Sequence, residues 1–202
     1  MTMIGRFYPV VPDADWVGRL ASAGARFIQL RIKDQPDAEL RRQVRAAKAS
    51  CAAHGADLIV NDYWQIAVDE KCGWVHLGQE DLADADVKAI RRAGLLLGVS
   101  THDHVELEKG LAVDPDYVAL GPIYPTLLKK MPWTPQGLER IGEWKKLIGR
   151  KPLVAIGGLT VERAKLCLAA GADSAAVVSD IVNHADPMGQ TRAWLAATRV
   201  MA

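Results

Sequence analysis

Residues 27–60 read FIQLRIKDQPDAELRRQVRAAKASCAAHGADLIV. The stretch opens on the apolar run Phe27–Leu30 and closes on a second, Leu58–Val60. Between them, Leu40, Val44, Ala47 and Cys51 recur at helical spacing along one stripe of Asp37–His54. An Asp precedes the repeat and Gly55 follows it, as helix start and stop signals require. Both flanking runs are nearly continuously apolar, Gln29 apart, rather than alternating with polar residues. Strands read this way when both of their faces are covered, which is the situation of a parallel sheet lined by helices. The stretch is therefore a strand–helix–strand unit.

The same alternation extends in both directions. Further short aliphatic or β-branched runs occur at Phe7–Val11, Trp74–Leu77, Leu95–Ser100, Tyr117–Leu120, Leu153–Ile156 and Ala175–Val178, which makes eight in all. Helical patterns separate them. Asp84 is expected to cap one that ends near Gly94. Pro135 is expected to open another that runs to Leu147. Thr160 is expected to open a third, closed by Gly171. The chain's 202 residues then average roughly 25 per strand–helix pair, enough for a single-domain (β/α)8 TIM barrel spanning residues 1–202. The competing arrangement is a doubly wound open sheet. It would use fewer strands and a glycine-rich first turn, whereas here that turn is Val11-Pro12-Asp13-Ala14-Asp15.

Composition narrows the function classes. Lys plus Arg is 25 against 24 for Asp plus Glu, and the six tryptophans are not interleaved with basic residues, so no nucleic-acid surface is indicated. No apolar run reaches a membrane span. Met1–Val11 has no secretory pattern, and Cys51, Cys72 and Cys167 have neither disulfide-framework nor zinc spacing. A cytoplasmic protein with small-molecule partners is expected, and a homo-oligomer is compatible with the composition.

In such a barrel the chemistry is carried at the C-terminal ends of the strands. Period-two spacing puts Gln29, Arg31 and Lys33 on one side of the second strand end. An anionic ligand would satisfy them, and so would pairing with Asp34 or Asp37. Asp62 and Asp81 end the third and fourth units. Side by side they suit Mg²⁺, which takes one or two carboxylates plus phosphate oxygens and water; taken singly, each reads as a helix cap. His76 reads as a hydrogen-bonded wall residue, and His102 and His104 as first-turn helix residues. The segment Tyr124–Gln136 is long, proline-rich and without helical repeat, and is a candidate lid or clamp. Gly157-Gly158 and Ser179 end the seventh and eighth units, where barrels of this kind bind phosphate.

Taken together, Gln29-Leu-Arg-Ile-Lys33, Asn61-Asp62-Tyr63-Trp64, His76-Leu-Gly-Gln-Glu-Asp81, Gly98-Val-Ser-Thr-His102, Gly121-Pro-Ile-Tyr-Pro-Thr126, Ala155-Ile-Gly-Gly158 and Ala176-Val-Val-Ser179 resemble the thiamine phosphate synthase family, in order and over nearly the whole chain. The resemblance implies a transferase that joins hydroxymethylpyrimidine diphosphate to a thiazole phosphate, with or without a carboxylate, and releases diphosphate with the aid of Mg²⁺. It implies that Gln29, Arg31, Lys33 and Asn61 bind the pyrimidine diphosphate and that Asp62 and Asp81 hold the metal. Ser100 would contact the pyrimidine. Thr126 would face the thiazole phosphate, with Lys129 on the diphosphate. Gly158, Val178 and Ser179 would cradle the thiazole's phosphate. The family pattern Thr-x-Thr-Lys is replaced by Thr126-Leu127-Leu128-Lys129, so one hydroxyl is missing. A thiazole tautomerase-like isomerase, a non-catalytic relative that binds precursors and a sugar-phosphate isomerase barrel are the other readings. The first does not need Lys33, Asp62 and Asp81, the last does not explain the aspartate pair, and Leu128 is the one feature that points to the non-catalytic relative.

Overall fold

The computed structural model describes residues 4–126 and 133–199. Its strands are β1 (Phe7–Val11), β2 (Phe27–Leu30), β3 (Asp57–Asn61), β4 (Trp74–Leu77), β5 (Leu96–Thr101), β6 (Tyr117–Leu120), β7 (Leu153–Ile156) and β8 (Ser174–Val177). They pair in parallel, in sequence order, and the ring closes where β1 meets β8 with Tyr8 opposite Ala176. The open-sheet alternative is thereby excluded. The outer ring is formed by α1 (Ala14–Ser22), α2 (Asp37–His54), α3 (Trp64–Asp69), α4 (Gln79–Asp84), α5 (Val87–Arg92), α6 (His104–Ala112), α7 (Glu139–Ile148), α8 (Val161–Ala169), α9 (Ser179–Val182) and α10 (Pro187–Thr198).

Helix α2 has the expected bounds, and Gly55 ends it in the left-handed region at φ 64°. Thr160 caps α8 by accepting from the Arg163 backbone N–H. Two expected starts are corrected. Asp84 ends α4, and the residue that caps the next helix is Asp86, whose carboxylate accepts from the Ala89 N–H (2.8 Å). Pro135 does not open α7, because the N–H groups of Gln136 and Gly137 are tied to the carbonyls of Pro122 and Ile123. That tie holds the chain out of the helix until the turn at Gly137, which has φ 71°, and α7 starts at Glu139.

Alternation along the strands divides the core into two shells. Outward-facing Ile28, Leu30, Val60, Val75, Leu77, Val99 and Leu120 pack beneath the helices, together with Trp144 and Trp194. All three cysteines are free and buried in this outer shell. The inner shell holds Tyr8, Phe27, Ile59, Trp74, Tyr117 and Val154. Its rings interlock at the N-terminal end, with Phe27 4.7 Å from Tyr8 and 5.1 Å from Trp74. Gly98 of β5 leaves the space that the Tyr117 ring fills, since a Cβ there would lie 2.0 Å from Cζ. These rings fill the floor of the barrel, so the polar inward positions are confined to its C-terminal mouth.

Candidate active site

A cavity of about 520 Å³ opens at that mouth. Gln29 and, beyond β2, Arg31 and Lys33 line it, as the period-two spacing predicts. Asn61 and Asp62 enter from the end of β3, Asp81 from α4 and Ser100 from β5. Thr126, Gly158, Val178 and Ser179 line the far side. The structure thus brings together every sequence-predicted site residue among those described. Lys129 and the altered position Leu128 lie outside the described residues, as does the middle of the anticipated clamp, residues 127–132.

Neither aspartate is a helix cap. The cap residue of α3 is Tyr63 and that of α4 is Gly78, with no side-chain cap bond at either. The chain instead turns sharply at Asp62, which takes φ 64°, a conformation uncommon for a residue with a side chain. The Asp62 N–H is held by the His76 carbonyl (2.9 Å), and Asn61 Nδ2 donates to Asp62 Oδ2 (2.5 Å). Burial, then the charge of Asp81 and a hydrogen bond with it, push the Asp62 carboxyl up to about 6, against the lowering influence of Lys33 and Arg31. Two carboxyl groups pressed together at a half-buried mouth are short of positive charge. Among the described residues no ion pair engages Arg31 or Lys33; of the two anticipated partners, Asp34 and Asp37, the second binds Arg41 instead (2.7 Å). The donor set is hard oxygen only, and no group of three or more metal-ligating side chains forms among the described residues. That suits an Mg²⁺ ion completed by phosphate and water rather than a protein-caged metal.

On the opposite side, Gly157 and Gly158 have φ 97° and 65°. A Cβ on Gly158 would stand 2.4 Å from the Pro125 carbonyl oxygen, and one on Gly157 2.6 Å from Pro122 Cα. Both glycines are therefore required by the close approach of the loop after β6. Arg163 donates to the Gly158 carbonyl (2.6 Å) while its guanidinium covers the Tyr124 ring, which fixes the turn.

The floor of the cavity is one continuous hydrogen-bonded chain. Gln29 Nε2 donates to the Tyr8 hydroxyl (2.6 Å), which meets the Tyr117 hydroxyl (2.7 Å). Tyr117 meets His76 Nδ1 (2.8 Å), and His76 Nε2 meets Ser100 Oγ (2.8 Å). Burial pushes both phenols well above their ordinary range and pushes His76 down to about 3, so all three are neutral. His76 is thus the wall residue expected of it. His104 begins α6, but His102 precedes the cap Asp103 and lines the cavity. Its Nδ1 meets Glu106 Oε2 (2.7 Å) and its ring stacks on Trp133 at 3.9 Å. Trp133 belongs to the anticipated clamp, whereas Tyr8, His102 and Glu106 are not marked by the sequence as mouth residues.

A one-ended (β/α)8 barrel with cations, an oxygen-donor carboxylate pair and a glycine turn at one mouth is the architecture of an enzyme acting on phosphorylated small molecules. The family model described as Thiamine monophosphate synthase matches residues 7–181. The chain is 60% identical over 192 residues to a thiamine-phosphate synthase of Rhizobium etli, covering 95% of this chain and 94% of that one. It is 50% identical to the thiamine-phosphate synthase of Cronobacter sakazakii, covering 93% and 90%. A thiamine phosphate pyrophosphorylase from Pyrococcus furiosus shares the fold with TM-score 0.84, 24% identity and coverage of 96% and 95%. The chain belongs to the thiamine monophosphate synthase family. No helix among the described residues is long and apolar enough to cross a membrane.

Proposed function

We propose that this chain, acting as one domain over residues 1–202, condenses hydroxymethylpyrimidine diphosphate with thiazole phosphate to give thiamine phosphate and diphosphate. The carrying observation is the placement of the Asp62–Asp81 pair and the cations Arg31 and Lys33 around one cavity. In this reading the bond between the pyrimidine methylene carbon and the diphosphate oxygen breaks, and its electron pair leaves with the diphosphate. The thiazole nitrogen lone pair then forms the new C–N bond, so no protein nucleophile is needed. Arg31 and Lys33, preorganised in the mouth, face the charge that grows on the departing oxygens. Gln29, Asn61 and Ser100 hold the pyrimidine ring, and Lys129 is assigned to the diphosphate by the family pattern. Gly158, Val178, Ser179 and Thr126 hold the thiazole phosphate, which aligns its nitrogen with the methylene carbon. Asp62 and Asp81 would hold Mg²⁺, which when bound neutralises the diphosphate as a Lewis acid.

The test is incubation of the purified protein with both substrates and Mg²⁺, following diphosphate and thiamine phosphate. Asp81→Asn is expected to move the Mg²⁺ requirement to higher concentration and to slow turnover by on the order of 10-fold or more. An unchanged Mg²⁺ curve in that variant would remove the aspartates from the metal site.

A further inference from the structure

The hydrogen-bonded chain across the barrel joins two residues of the proposed pyrimidine site, Gln29 on β2 and Ser100 on β5, through three that stand behind them. Its links are 2.6, 2.7, 2.8 and 2.8 Å. Tyr8 and Tyr117 are 1% and 0% exposed, so no solvent supplies alternative partners. A phenol has one proton, and a neutral imidazole carries one N–H and one acceptor nitrogen. The chain can therefore run in only two senses. Gln29 Nε2 donates to Tyr8, and with each phenol donating once and accepting once the rest follows. Tyr8 donates to Tyr117, Tyr117 donates to His76 Nδ1, and His76 must carry its proton on Nε2 and donate it to Ser100 Oγ. The Ser100 hydroxyl hydrogen is then free to point into the cavity. At the other end Gln29, its Nε2 committed to Tyr8, presents its carbonyl oxygen.

We propose that Tyr8, Tyr117 and His76 form a positioning relay that sets Ser100 as donor and Gln29 as acceptor toward the ring, so that the cavity takes an aminopyrimidine and rejects the corresponding pyrimidinone. An aminopyrimidine offers an exocyclic N–H donor and ring-nitrogen acceptors, the complement of this pair. A pyrimidinone offers a carbonyl acceptor and a ring N–H, which oppose both. Reversing the relay to suit it requires four hydrogen bonds and the His76 tautomer to change together. This inference rests on the reading of the cavity as the pyrimidine site.

Two measurements test it. Nitrogen-15 NMR of His76 in the ligand-free protein is expected to show the Nε2-protonated tautomer; an Nδ1-protonated ring overturns the assigned sense whatever the enzyme does. Kinetics with aminopyrimidine diphosphate and its pyrimidinone analogue are expected to give a kcat/KM ratio of about 100 or more in the native protein. Tyr117→Phe, which keeps the ring and breaks the relay, is expected to bring the ratio within about 10-fold, mainly through KM. Tyr8→Phe breaks the chain one link earlier and serves if the first variant is unstable. A native protein without preference, or variants that slow both substrates equally, would show that the hydroxyls only support the fold. Failure of the native protein to turn over the aminopyrimidine refutes the proposed function, and the tautomer then still decides the relay.

Discussion

At the scale of single residues, His76 carries the clearest pH signature. Its imidazole is buried and pushed down to about 3, chiefly by desolvation and secondarily by Arg31. The unfolded chain takes up this proton near pH 6.5 while the folded chain resists it. Its contribution is therefore fully present above about pH 6.5 and is lost as the pH falls toward 3. Urea unfolding of the native protein against His76→Gln should show the gap between them change across that interval, by on the order of 4 kcal/mol. A pH-independent gap would mean that His76 is already charged in the fold. How far such residues were legible depended on distance along the chain. The inward stripe Gln29-Arg31-Lys33 follows from strand alternation alone. The meeting of Tyr8 with Tyr117, 109 positions apart, depends on barrel closure, so each looked like an ordinary core aromatic. His102 was misplaced for a related reason: Trp133, on which it stacks, comes from a distant loop.

At the scale of elements, the turn after β7 is where backbone geometry and ligand binding meet. Gly158 holds φ 65°, with the Pro125 carbonyl 2.4 Å from where a Cβ would be. Gly158→Ala should destabilise the protein by roughly 2–4 kcal/mol, summing the left-handed penalty and the steric displacement. It should also raise KM for the thiazole phosphate more than KM for the pyrimidine diphosphate. Equal effects on both would place the turn outside the phosphate site. Most strands are legible because parallel strands covered on both faces leave apolar runs broken only by the few side chains that face the mouth, such as Gln29 and His76. The less legible elements were those decided by hydrogen bonds from elsewhere. The Asp86 cap starts α5 two residues after the anticipated Asp84, which instead ends the unanticipated α4, and the ties from Gln136 and Gly137 to the loop after β6 delay α7.

At the scale of the whole molecule, the aromatic floor closes one end of the barrel, so ligands of the cavity enter and leave by the mouth where its polar side chains are gathered. The outer shell has a consequence of a different kind. Cys51 lies in α2, Cys72 follows α3 and Cys167 lies in α8, all buried and unpaired. Burial pushes their thiols up to about 12, 11 and 11, so none is a nucleophile while its helix is seated. An alkylating reagent at neutral pH should therefore label each one only as fast as its sector of the ring lifts from the sheet. Mass spectrometry of the three peptides should record Cys51 and Cys72, neighbours on one side, reacting together and on a different clock from Cys167 if the ring opens by sectors, and all three in step if it opens as a unit. The protein thus carries, in three side chains with no part in catalysis, a built-in gauge of how its wall comes apart.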